Sequence, residues 1–320
     1  MATYKKISGT NVEVVSSDPS NPVKGQVWYN TTSNVLKGES VTTAGAWSSG
    51  GTMNTARTAL GGAGTQTSAL AFAGEGVSEH DLTESYDGTS WTEVGDVNTA
   101  RVDVGSAGAS NTAALLFGGQ PPATGATETW NGSSWTEVGD LNTARFALAG
   151  AGTNTSALAF GGTPPVTDKT ESWNGSSWTE VGDMNTGRRQ LSGAGASNTS
   201  ALAFGGESPG VANETKAESW DGSSWTEVGD LNTGRNYLGG LGTNTAALAV
   251  GGKSPTITNV EEWNGSGWTE VADLSTSRRS LGAAGTTSAG LAFGGTPPVT
   301  GATEEWNGAG ALITKTITTS

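Results

Sequence analysis

The chain repeats one pattern six times, and that repetition constrains its fold more than any other feature. The pattern reads Trp/Tyr–Asn/Asp–Gly–x–Ser–Trp–Thr–Glu–Val, then Asn–Thr–Ala/Gly–Arg, then Ala–Leu–Ala–Phe–Gly–Gly, with drift at its edges. Its second Trp recurs at Trp47, Trp91, Trp135, Trp178, Trp225 and Trp268, in steps of 44, 44, 43, 47 and 43 residues. A period in the low forties with a Gly doublet and a Trp marks a four-stranded propeller blade. Such a unit stacks on its neighbours to bury its faces. Residues present in every unit therefore build scaffold, and function belongs to what differs between units.

Residues 145–183 show how one unit is built. A small-residue run, RFALAGAG, suits a crowded inner strand. In TSALAFGG, Leu158 and Phe160 alternate with Ala157 and Ala159, which is strand periodicity. A turn-rich stretch follows, then Asn174–Gly175 between two aromatic, β-prone runs, a strong hairpin signal. The unit is predicted to hold four antiparallel strands. The Gly doublets, such as Gly161–Gly162, are predicted to meet a need for positive φ or close backbone approach. No helix is predicted after any doublet, which argues against a phosphate-cradling loop.

The Gly doublet, spaced aromatics and Trp resemble the kelch family of β-propellers over roughly residues 55–307, although the two aromatics here lie closer together than the usual kelch pair. The SWNGSSW run at residues 172–178 also looks like the Asp-box turn of sialidase propellers, one residue shorter before its Gly. Both resemblances imply an all-β, kelch-like propeller of four-stranded antiparallel blades. The expected count is seven, with residues 1–50 as a divergent N-terminal blade. VEVVS, QVWYN and residues 33–39 would be its first three strands and Trp47 would lie on its fourth. ALITKTI at residues 311–317 would then end the last repeat. The alternative is six blades with an N-terminal attachment arm, in which the Trp47 strand closes the ring. In both cases residues 51–320 carry six kelch-like repeats, and the whole forms one propeller domain.

Composition excludes several classes of function. Net charge is −14 with only 16 Lys and Arg and no basic stripe, so nucleic acid is not an expected partner. No apolar run reaches the length needed for membrane insertion, and the N-terminus lacks the apolar segment of a signal peptide. Hydrophobic content is only 34%, but 12 Trp, each able to bury roughly 150–250 Å², offset the shortage of large aliphatics.

There is no Cys and a single histidine, His80, beside Glu79 and Asp81. With no second His or Cys, no metal site and no ordinary nucleophilic triad is expected. The acidic series Glu93, Glu137, Glu180, Glu227 and Glu270, with Asp96, Asp140, Asp183, Asp230 and Asp273, recurs unit after unit. Sequence symmetry makes these poor candidates for an asymmetric active site. The same logic assigns Arg57, Arg101, Arg145, Arg188, Arg235 and Arg278 to structural pairing between blades. The expected result is a non-enzymatic protein with no cofactor.

Differences between units concentrate between the Gly doublet and the next Trp–Asn–Gly. Four antiparallel strands place these loops on one face of the ring, where loops on a rigid scaffold commonly carry recognition. The candidate ligand-binding residues are Glu79, His80 and Asp81 in the first loop, Pro121 and Pro122 in the second, and Pro164, Pro165 and Asp168 in the third. Glu207, Pro209 and Asn213 follow in the fourth, Lys253 and Pro255 in the fifth, and Pro297 and Pro298 in the sixth.

The segment SSDPSNPVKGQVWYNTTSNVLK at residues 16–37, the repeats and the C-terminal KTITTS are similar to tail-associated, kelch-like proteins of marine tailed phages. That resemblance implies a virion protein at the tail or tail fibre, made in the host cytoplasm without a signal peptide. Its partners would be other virion proteins and a host-surface glycan or protein. A lectin-like carbohydrate-binding propeller is the alternative; a glycan-cleaving enzyme on the same scaffold is a third.

Overall fold

The computed structural model describes residues 12–20, 25–41, 44–76, 81–309 and 312–317. All regular structure among them is strand, arranged as seven four-stranded sheets that follow one another along the chain. Among the described residues no helix is long and apolar enough to cross a membrane.

Six sheets carry the repeats. Their innermost strands are Gly61–Thr65, Gly105–Ser110, Ala149–Thr153, Ser192–Ser197, Gly239–Gly242 and Gly282–Gly285. Each packs beside the next, and the last packs beside the first, closing a ring around a channel of about 210 Å³. The small residues at the axis are required by this approach. A Cβ on Gly150 would lie 2.3 Å from the Ser106 carbonyl of the neighbouring strand.

The hairpin expected in this unit forms; Trp173 pairs with Trp178 across the Asn174–Gly175 turn. Alternation along the second strand then builds the contacts between blades. Leu158 and Phe160 pack forward onto Ala201, Ala203, Trp220 and Trp225, while Ala157 and Ala159 receive Leu115 and Phe117 from behind. Large side chains thus meet small ones at each junction, and full burial of a Leu or Phe contributes about 1.5–3 kcal/mol. Phe160 meets Trp225 at 5.0 Å between ring centroids, and Phe117 meets Trp178 at 4.9 Å.

Polar latches tie neighbouring blades. The indole N–H groups of Trp91, Trp135, Trp178 and Trp225 donate to the hydroxyls of Thr303, Thr83, Thr127 and Thr170 in the preceding blade, at 3.0–3.1 Å. The fifth latch is missing. Ala217 occupies the Thr position, and the buried Trp268 Nε1 has no partner among the described residues.

The seventh sheet is formed by the N-terminal segment. Its strands Glu13–Val15, Val27–Asn30 and Val35–Val41 lie close to where the divergent unit was expected, with the first two paired in parallel. Asp18 organises it, accepting hydrogen bonds from Trp28 Nε1 at 3.0 Å and Asn30 Nδ2 at 2.7 Å and pairing with Lys37 at 2.5 Å. These partners, Lys37 first, hold its carboxyl down at about 2.

The fourth strands differ from the seven-unit expectation and are exchanged. Leu312–Thr316 joins the N-terminal sheet beside Val35–Val41, and Ala46–Ser49 completes the sheet of the Arg278 unit. The physical reason is aromatic pairing. Trp47 lies opposite Trp306 with centroids 5.4 Å apart, repeating the aromatic pairs of the other repeat blades, and Leu312–Thr316 holds no aromatic residue to do so. The N-terminal sheet contributes no residue to the channel lining.

Candidate functional site

The six arginines form a buried belt. Arg57 pairs with Glu84 at 3.1 Å, Arg101 with Glu128 at 3.0 Å and Arg145 with Glu171 at 2.6 Å. Arg188 pairs with Glu218 at 2.8 Å, Arg235 with Glu261 at 3.1 Å, and Arg278 with Glu304. Burial pulls each guanidinium below its ordinary value, and the facing Glu opposes that shift.

The pairing expected of these arginines between blades lies within each unit instead. The partner is the Glu of the third strand, whereas Glu93, Glu137, Glu180, Glu227 and Glu270 are exposed. The third-strand Glu also accepts hydrogen bonds from the Asn of Asn–Thr–Ala/Gly–Arg; Glu171 takes both the backbone N–H and the side-chain amide of Asn142. At each Arg the link to the preceding blade runs through the backbone. Each Arg carbonyl accepts from the second residue of the preceding unit's Gly doublet, as Arg188 does from Gly162 at 2.8 Å. That residue has φ of 92–114° throughout, which accounts for Gly.

Two residues beyond each Arg the chain turns into the channel mouth. Ala59, Asp103, Ala147, Gln190, Tyr237 and Ser280 all have φ of 53–54°. Each N–H donates to the carbonyl of its counterpart in the preceding unit, at 2.8–3.0 Å, and Ala59 donates to Ser280. The six residues therefore form a closed hydrogen-bonded ring about the axis. Beneath them the ring of Leu and Val side chains completes a cup of about 80 Å³.

The variable loops open around this mouth. Each starts with a bridge to the residue just before the ring residue: Thr58 to Glu75, Val102 to Gln120, Phe146 to Thr163, Arg189 to Glu207, Asn236 to Lys253, and Arg279 to Thr296. Both residues between the recurrent Arg and the following Leu or Val thus vary from unit to unit and face the loops. Neither was singled out from sequence. The signal was present, in RTAL, RVDV, RFAL, RRQL, RNYL and RRSL.

Side chains at the mouth interact both within units and between them. Gln120 Nε2 donates to Asp103 Oδ2 at 2.9 Å, Gln190 Nε2 donates to Tyr237 Oη, and Arg189 pairs with Glu207 at 2.7 Å. Asn236 Nδ2 donates to the Ala212 carbonyl at 3.0 Å. Burial raises the Asp103 carboxyl above its ordinary value, opposed by the Gln120 bond and reinforced by Glu75. Burial also raises the Tyr237 hydroxyl, with Asp103 adding to the effect and Arg189 opposing it.

Of the expected ligand-binding residues, Glu207 reaches the mouth network. Lys253 bridges to Asn236, and Asn213, with its amide turned to donate, lies 2.7 Å from the Lys253 carbonyl. Pro121, Pro122, Pro164, Pro165, Pro209, Pro255, Pro297, Pro298 and Asp168 are exposed along the loops, and Asp81 is half-buried. Glu79 and His80 lie outside the described residues. Among the described residues no three His, Cys, Asp or Glu converge as a metal site requires.

No protein-family model and no curated protein sequence matches this chain. The polar groups of the mouth differ from unit to unit, so the symmetric scaffold presents an asymmetric set of donors and acceptors.

Proposed function

We propose that this chain is a non-enzymatic structural protein of a tailed-phage particle, associated with the tail or its fibres. It displays the variable face for host-surface recognition or particle assembly. The observation that carries this reading is the separation of roles along the unit. The recurrent Arg, Asn and Trp and the third-strand Glu are consumed by buried scaffold bonds, while the variation between units gathers at the mouth and in the loops, where only some residues, such as Ala59 and Ala147, repeat. The similarity of residues 16–37 and of the repeats to tail-associated proteins supports the location in the particle. Partners are then the neighbouring particle proteins and a molecule of the host surface.

Mass spectrometry of purified particles, followed by electron microscopy with an antibody to the loops, tests the proposal. The chain is expected in particles in fixed stoichiometry, with the label on the tail. Its absence from particles overturns the reading. Most described Trp are buried and Trp47 is half-buried, so stacking of a sugar on an exposed Trp, the usual lectin device, finds no support among the described residues.

A further inference from the structure

Glycine is the residue that accepts positive φ without strain, and this chain has 50 of them. It places Gly at most of its positive-φ positions, yet at none of the six in the ring. A non-Gly residue in this conformation costs roughly 1–2 kcal/mol. Strain kept at equivalent positions where the cheaper residue is plentiful points to a use for the side chains. Four of the six are polar: Asp103, Gln190, Tyr237 and Ser280. The two alanines, Ala59 and Ala147, leave the cup open.

The chemistry of the mouth narrows the ligand. Three acidic side chains, Glu75, Asp103 and Glu207, stand with three basic ones, Arg189, Lys253 and Arg279, so the mouth is charge-balanced in a chain of net charge −14. It favours neither an anion nor a cation. It does offer hydrogen-bonding groups of both kinds. Asp103 uses only one carboxylate oxygen, on Gln120. Tyr237 accepts from Gln190 and keeps its own proton to donate. The buried Asn236 Oδ1 and Arg189 Nε have no hydrogen-bond partner among the described residues. Asp103 and Tyr237 come from units three apart in a ring of six, so the acceptor-bearing and donor-bearing residues sit on opposite sides of the axis.

We propose that the channel mouth binds one uncharged, polyhydroxylated ring, such as the terminal hexose of a neutral glycan, with Asp103 accepting its hydroxyl protons and Tyr237 donating to a hydroxyl oxygen. This inference rests on the display reading above and gives the displayed face a ligand class. The cup of about 80 Å³ takes an edge of one such ring.

Saturation-transfer NMR on the full chain tests it, with methyl glucoside, methyl galactoside and N-acetylglucosamine as neutral probes and sialic acid and glucosamine as charged ones. Signals are expected from at least one neutral probe and weaker ones from the charged pair. Asp103→Asn and Tyr237→Phe should each weaken binding about three- to tenfold. The triple variant Asp103→Gly, Gln190→Gly, Tyr237→Gly should abolish it while the thermal midpoint does not fall, because each Gly enters a positive-φ position. Loss of binding then cannot be attributed to unfolding. No signal from any neutral probe, preference for a charged probe, or binding unchanged in the triple variant overturns the proposal. Presence of the chain in particles without sugar binding sinks this inference alone; sugar binding by a chain missing from particles sinks the display reading alone.

Discussion

Arg188 and Gln190 are two residues apart and obey opposite rules. Arg188 recurs in every unit, is fully buried, and its guanidinium pairs with Glu218 while also donating to the carbonyls of Gly205 and Lys216. Gln190 is half-buried, has a different residue in each sister unit except for the repeated Ala, and bonds sideways to Tyr237 of the next blade. The backbone of both is held by equally regular hydrogen bonds. The difference shows that in this ring the main chain fixes position at the mouth, which frees the side chains there to vary, whereas in the belt the side chains do the fixing.

The contrast should break most severely at the belt. Glu171→Gln leaves the buried Arg145 charge uncompensated and should destabilise the fold by about 3–5 kcal/mol, read by chemical denaturation. At the mouth Gln190→Ala should change stability by less than about 0.5 kcal/mol, since it leaves backbone and belt intact. Equal losses in the two variants would end the distinction.

Smaller effects sharpen it. Ala217→Thr supplies the hydroxyl that Trp268 Nε1 lacks, at a position where four sister blades already hold Thr. A gain of about 1 kcal/mol is expected, with protection of the Trp268 indole proton as the direct readout. Ala147→Gly relieves positive φ in the ring at the expense of a methyl and greater chain freedom, and should stabilise by about 0.5 kcal/mol. A lower melting midpoint would show that the ring conformation is not strained.

The smallest effect is pH-dependent. The Asp103 carboxyl lies above its ordinary value of 3.8 in the folded protein. Its ionisation therefore opposes folding: stability is greatest below the unfolded value and declines as pH rises through the folded one. Asp103→Asn keeps an acceptor for Gln120 and should melt slightly higher than the parent at neutral pH. That advantage should vanish when both are compared below the ordinary carboxylate value.

Local features were the legible ones. The Asn174–Gly175 turn, the two faces of Ala157–Leu158–Ala159–Phe160 and the scaffold role of each Arg follow from periods and turn chemistry that a single unit contains. Of the exchange of fourth strands, the closing role of the Trp47 strand is open in the sequence as the six-blade alternative; the return of Leu312–Thr316 to the N-terminal sheet is not, because it depends on which aromatic fills the last slot when the ring closes, a contact between residues 47 and 306. The belt glutamates repeat as visibly as the exposed ones on the fourth strands. Nothing in sequence alone says which of two recurrent carboxylates the Arg reaches. The mouth residues escaped for another reason: they sit between two invariant positions, where variation reads as drift until the ring gathers the six of them in one place.

The ring of six peptide groups has one further property. Every N–H points back to the unit before it, in a single rotational sense, so the peptide dipoles run head to tail around the axis and cancel in the plane of the ring. The main chain thus imposes no preferred in-plane polarity on whatever sits at the mouth. The in-plane potential there is left to the side chains of the ring and of the residues around it, and an array of repeats can rewrite it by substitution without disturbing one bond of the backbone ring.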